Sequence, residues 1–272
     1  MSRLKYDNVI VFGPTGDVGG VVAQEASRRG ARVWLAMRRI NATITAISEQ
    51  DEKTENSIAS RQIFLIQKYV VFLSSFNVKP EQDLRRITTD DFIAHVHAQV
   101  EIKLEDLNIS HVALRPGMFA SKPFKQDLDT TKTPWEASVT YGDILEDSVS
   151  PADVGRVGGA VLVERPSISS KEAIYLCGPQ LLTLNQLWET VIGTSGREIK
   201  IVRPTLEEKI AELTGKGFPA PLAKNLVQGM AQRRHVSLYP EPFYTQAVEN
   251  IAKYSGGKPT SFADYVASQY LG

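Results

Sequence analysis

A doubly wound, parallel α/β sheet carrying a smaller, mostly helical second lobe is the fold class that this sequence predicts. Three observations carry it. Between residues 8 and 36 an apolar run, a glycine-rich turn, an amphipathic helix and a second apolar run follow one another. Apolar runs and helical stripes keep alternating as far as Cys177, and beyond it helical patterns dominate. Such alternation builds parallel sheets, because each crossover returns the chain to the same edge. The 272 residues, 42% apolar and 23% charged, suit one large domain or two small ones.

The first strand is Asn8-Val9-Ile10-Val11-Phe12. A helix follows, with Val18, Val22 and Ala26 on one face and Gly30 ending it. Arg32 to Ala36 is the second strand. A polar stretch without clear period runs from Asn41 to Arg61. Ile63 to Ile66 then reads as a buried strand or a helix end, and Val70 to Leu73 as a strand closed by Ser74-Ser75. Thr88-Thr89-Asp90-Asp91 starts a helix striped by Ile93, Val96, Val100, Leu104 and Leu107, with Asn108 at its end. His111 to Leu114 is a strand running into Arg115-Pro116-Gly117.

Met118 to Val149 is polar and is expected to form loops over a site. Ser150-Pro151-Ala152-Asp153 opens a helix, with serine at the cap and proline at the first turn. Its Gly155, Gly158 and Gly159 permit close packing. Ala173 to Cys177 is a strand, Thr183 caps another helix, and Ile199 to Val202 is a short strand. Helices are expected at about 205–214, 220–232, 242–253 and 261–269. The domain reading is a core of residues 1–117 and 150–178, with 118–149 and 179–272 as a substrate-side lobe.

Gly13-Pro14-Thr15-Gly16-Asp17-Val18-Gly19, between strand and helix, has the spacing of a phosphate cradle. Glycine at the first position takes a backbone shape that other residues resist. At the second it lets main chain approach a pyrophosphate, and at the third it seats the helix on the strand. The free N–H groups and the positive end of the helix then face the anion. The expected cofactor is a dinucleotide. Arg38 and Arg39, after the second strand, suit a 2′-phosphate, so NADP(H) is preferred and NAD(H) is the alternative. Ser74, Ser75, Pro116 and Gly117 should lie at the same edge, since ligands bind outside the carboxyl ends of such strands.

Several segments resemble the NmrA-like proteins, a group of atypical short-chain dehydrogenases/reductases. The glycine turn is similar to their GATGxxG, Leu114 to Phe119 to their LRPGxF loop, and Ser150 to Val157 to their helix carrying Asp-Ile-Gly. Tyr175 to Thr183 is similar to their segment around Gly-Pro. Order and spacing agree from about residue 8 to 200. The resemblance implies a Rossmann sheet that binds NADP(H) or NAD(H), in a reductase of small molecules or in a redox-sensing regulator with a protein partner.

Two departures qualify it. Only 31 residues separate Arg38 from Val70, where the family places two strands and two helices. An internal deletion between about residues 40 and 69, leaving the sheet short of one or two strands, is the expectation. The family's Tyr-x-x-x-Lys proton relay falls on Ile93 and His97. His97 is the candidate replacement, as a ribose contact or an acid near neutral pH. The literal match Tyr254…Lys258 lies in a glycine-rich turn and is read as chance. Tyr141, Tyr239 and Tyr244 are further candidate proton donors, though packing is the better reading of each.

Other classes are disfavoured. Lys+Arg equals Asp+Glu, at 31 each, so no basic face for nucleic acid is indicated. His95 lies some 200° around the helix from His97, and His111 and His235 are scattered, so no metal is expected. Cys177 is the sole cysteine and reads as a buried small hydrophobe. No apolar run approaches the ~20 residues of a membrane span, and no signal sequence precedes the first strand. A cytoplasmic location is therefore expected.

Overall fold

The computed structural model describes residues 6–37, 69–167, 169–235 and 238–270. Strand β1 (Asn8–Phe12), helix α1 (Gly19–Arg28) and strand β2 (Arg32–Ala36) form the βαβ opening, with β1 and β2 parallel in register Asn8 to Arg32. Gly30 ends α1 at φ +86°, its N–H donating to the Ser27 carbonyl at 2.8 Å. Strand β3 (Val70–Leu73), helix α2 (Phe92–Asp106), strand β4 (His111–Pro116), helix α3 (Pro151–Val163) and strand β8 (Lys171–Leu176) give a second parallel sheet, ordered β3-β4-β8. The fold is thus α/β and Rossmann-type.

The sheet is split. β1 pairs only with β2, and β3 only with β4, so each leaves one edge unpaired among the described residues. Tyr6 stacks on Tyr69 at 5.3 Å, which makes the two sheets neighbours at their amino ends. Among the described residues no ladder joins them. Helix packing does: a Cβ on Gly155 of α3 would come within 2.5 Å of Val21 Cβ, and one on Gly159 within 2.6 Å of Glu25 Cβ. The glycines of α3 let α1 lie directly on it.

Residues 118–149 carry more order than their polarity predicts. Strands β5 (Leu128–Asp129) and β6 (Trp135–Ser138) join β10 (Ile199–Val202) in a small sheet, and β7 (Leu145–Glu146) pairs with β9 (Leu182–Thr183). The β6–β10 and β7–β9 partners are distant in sequence, so no local pattern announces those pairings. Helices α4 (Leu184–Ser195), α5 (Leu206–Gly215), α6 (Ala220–Arg233), α7 (Phe243–Ser255) and α8 (Phe262–Tyr270) follow, and α7 lies on the core at β8, with Ile251 packed among Val112, Leu114 and Ile174. Thr183 and Thr205 close capping boxes on α4 and α5.

The apolar stripe of α2 does not mark its packed face. Ala94, Ala98 and Glu101 are buried, whereas Val96, Val100 and Leu107 are exposed at 39%, 40% and 47%. Ala94 and Ala98 pack against Val78 and Ile87 of the preceding connection, and the buried carboxylate has a specific partner. No helix among the described residues is long and apolar enough to cross a membrane. Ile63 to Ile66, Arg38 and Arg39 lie outside the described residues.

Candidate functional site

The glycine turn has the form its spacing requires. Gly13 sits at φ +68°, Gly16 N–H donates to the Gly13 carbonyl at 3.1 Å, and a Cβ on Gly19 would overlap that carbonyl. Helix α1 has no side-chain cap. The N–H groups of Asp17, Val18 and Gly19 donate to no backbone carbonyl among the described residues, so they are available to an anion. Pro14 and Thr15 form the tip. Lys125 pairs with Asp17, bringing the 118–149 segment against the turn. This cradle fits a pyrophosphate.

At the carboxyl ends of β3 and β4, one buried polar network dominates. Ser74 Oγ donates to Glu101 Oε1 at 2.8 Å, and Arg115 Nη2 donates to Glu101 Oε2 at 2.7 Å. Arg115 Nη1 reaches the Tyr175 hydroxyl at 2.6 Å, which donates in turn to the Val78 carbonyl at 2.6 Å. Ser74 is therefore committed to an internal partner. Ser75 Oγ accepts from Asn77 N–H at 3.2 Å and shapes the following turn. Pro116 and Gly117 lie beside them: Pro116 O accepts from Phe76 N–H at 3.0 Å, and Gly117 N–H donates to Leu176 O at 2.9 Å. His97 is half-buried, with its ring 5.9 Å from that of Phe72. Burial lowers its pKa against a smaller opposing pull from Glu101, so the neutral imidazole is favoured.

Sequence reasoning missed Glu101 and Asp147. A signal for Glu101 existed: Arg115 ends an otherwise apolar strand, and a buried guanidinium needs a carboxylate. Asp147 had none, because its partners come from three segments distant from it in sequence. Its Oδ1 accepts from Met118 N–H at 2.8 Å and from the Tyr239 hydroxyl at 2.7 Å, and its Oδ2 accepts from Gly178 N–H at 3.0 Å. A Cβ on Gly117 would overlap this carboxylate. Tyr244 donates to Gly178 O at 2.8 Å, and the Tyr141 ring lies under Arg234 at 4.8 Å, so each of these tyrosines has a packing role.

Burial pushes Asp147 up to about 6, although its three hydrogen bonds pull the other way. The unfolded carboxyl releases its proton near 3.8. Between these values the folded state holds more protons, so stability falls as pH rises through the window, by about 3 kcal/mol in full. Urea denaturation at stepped pH should show this fall, and Asp147→Asn should flatten it. An unchanged slope in the variant would assign the effect elsewhere.

Two of the concavities among the described residues bear on the site. One of about 340 Å³ lies by His111 and Lys171, at the amino ends of β4 and β8 and away from the cradle. One of about 210 Å³ is lined by Arg233, Arg234, His235 and Tyr239, on the side of Asp147. No group of three or more His, Cys, Asp or Glu among the described residues could hold a metal ion.

No family model matches the chain. The nitrogen metabolite regulation-like protein bik4 of Gibberella fujikuroi is 30% identical over 316 aligned positions, which cover 96% of each chain. This chain belongs to the NmrA-like family. Because 316 aligned positions exceed its 272 residues, this NmrA-like chain lies opposite gaps at 44 or more of them, which agrees with an internal shortening. Its fold is shared with the NADPH-dependent quinone oxidoreductase QOR2 of Escherichia coli, at TM-scores of 0.68 and, complexed with NADPH, 0.65. Identities are 18% and 17%, covering 96% of this chain and 99% of that one. The negative transcriptional regulator NmrA is likewise similar, with a TM-score of 0.62 at 12% identity, covering 98% of this chain and 96% of that one.

Proposed function

We propose that this NmrA-like chain binds NADP(H) and delivers hydride to a carbonyl or activated double bond of a small molecule. The observation that carries the reading is the cradle: Gly13 at φ +68° and unbonded N–H groups of Asp17, Val18 and Gly19 at an uncapped helix start. Gly13 to Gly19 would hold the pyrophosphate, and Arg38 with Arg39 the 2′-phosphate. Ser75, Pro116 and Gly117 would border the nicotinamide. The bound cofactor supplies the hydride, while the protein orients it. The NADPH complex of QOR2 supports the choice of cofactor.

A second reading has its own support. Ile93 and His97 stand where the proton relay belongs, and His97 is half-buried with its charged form disfavoured. In that reading the chain senses NAD(P) without turnover and changes protein partner, as the likeness to the regulator NmrA suggests. Titration with NADPH, NADP and NADH by nucleotide fluorescence tests both. Micromolar NADPH binding, weakened in Arg38→Ala, is expected. No binding up to millimolar in a cooperatively melting protein overturns both readings. Hydride transfer to a panel of ketones and enones then separates them.

A further inference from the structure

A single π-helical turn, Pro123–Asp127, carries Lys125 to the cradle. Such turns are uncommon and recur at functional sites. Three lysine contacts hold this one in place. Lys122, just before it, pairs with Glu146 at 3.3 Å, Asp127 pairs with the buried Lys209 at 3.0 Å, and Lys216 donates to the Gln126 carbonyl. Phe124 sets its ring 6.1 Å from that of Tyr265 on α8. Main chain ties the segment to the core as well, since Ala120 N–H donates to Val149 O at 2.9 Å. The turn is thus fixed, while Lys125 itself stays 59% exposed and pairs with Asp17, 108 residues away in sequence.

An exposed ion pair of this kind adds little to stability, so the fold does not call for it. Its place is what matters. Asp17 lies inside the Gly13–Gly19 turn, and its N–H is one of those that donate to no backbone carbonyl among the described residues. A carboxylate there repels the pyrophosphate that the same N–H groups attract. The Lys125 ammonium offsets that charge. It has three donors, gives one to Asp17, and forms no other hydrogen bond among the described residues. Two donors stay open beside the start of α1, on a long stem able to follow a ligand.

We propose that Lys125 is a phosphate-binding residue: from the second lobe, its ammonium takes a pyrophosphate oxygen of the nucleotide while it keeps the Asp17 carboxylate neutralised. Lys125 has this role only if the glycine turn holds a pyrophosphate, the reading proposed above, and it adds to that reading a contact from the opposite lobe. A side-chain cation and backbone N–H groups, brought from two parts of the chain, then share one anion.

Binding is read on the full chain, with NADPH by nucleotide fluorescence and with inorganic pyrophosphate by calorimetry. Lys125→Met should weaken NADPH binding at least about tenfold and melt as the parent does, whereas Lys125→Arg should keep most of the affinity. The affinity of Lys125→Met should also fall less with added salt. Asp17→Asn should tighten NADPH binding, because the repulsion is gone, and adding it to Lys125→Met should restore part of the loss. Equal NADPH affinity in Lys125→Met and the parent overturns the proposal. So does a loss in Asp17→Asn as large as that in Lys125→Met, because the lysine would then serve only to hold Asp17. Pyrophosphate binding that depends on Lys125, without NADPH binding, leaves the contact standing and overturns the cofactor reading. NADPH binding that ignores Lys125 does the reverse. Binding of neither ligand overturns both.

Discussion

Gly19→Ala is expected to weaken NADPH binding about tenfold to a hundredfold and to lower stability as well. The added Cβ would overlap the Gly13 carbonyl, which is main chain and cannot rotate away. Relieving such an overlap costs about 1–3 kcal/mol, and the displaced turn would no longer present its N–H groups together. Gly16→Ala is the control. Its Cβ would meet Gly13 O at 3.5 Å, an ordinary contact, so the fold should be unharmed. It should still weaken NADPH binding, because the methyl group occupies the approach of the pyrophosphate. Fluorescence titration and thermal melting of both variants read the two effects apart. If Gly16→Ala binds NADPH as the parent does, the pyrophosphate does not rest on this turn.

Glu101→Ala is expected to cost about 3–5 kcal/mol of folding stability, a large share of what a domain possesses. Glu101 is 4% exposed and joins Ser74 to Arg115, itself 5% exposed. Removing the carboxylate strands the guanidinium in the interior. Water cannot reach it, and Tyr175 and Val78 offer only neutral oxygens. The double variant Glu101→Leu with Arg115→Met should lose less than Glu101→Ala alone, since no orphaned charge remains. Denaturant unfolding of the single and double variants measures this. A loss below about 1 kcal/mol in Glu101→Ala would mean that the pair adds little to the fold.

The architecture was largely legible because its signals are local. Strand β1, the glycine turn and α1 announce themselves by period and by glycine position, and the Ser150-Pro151 start of α3 is written in four residues. The small sheet of β5, β6 and β10 was not legible, because its pairing joins Trp135 to Ile199 across the chain. The exposed stripe of α2 misled for a physical reason. Hydrophobic spacing reports which face is apolar, whereas packing here followed the small Ala94 and Ala98 and the Glu101–Arg115 pair. Within the site, the cradle could be read from glycines alone. Asp147 could not, because its significance lies in what surrounds it: N–H groups following two strand ends, and a tyrosine hydroxyl from far along the chain.

The split sheet alters how the molecule can yield. In a continuous parallel sheet, the strand that feeds the cradle is laced to the rest by main-chain hydrogen bonds, and it separates only when the whole domain does. Here, among the described residues, β1 and β2 meet the remainder chiefly at the seam where Gly155, Gly158 and Gly159 of α3 lie against Val21, Val22 and Glu25 of α1. Side-chain seams can slide or part without breaking a ladder, and units joined in this way open with free energies of their own. Among the described residues the β1–α1–β2 unit is thus joined to the rest as a separate leaf. A ligand that spans from the Gly13–Gly19 turn to the ends of β3 and β4 would act as its clasp.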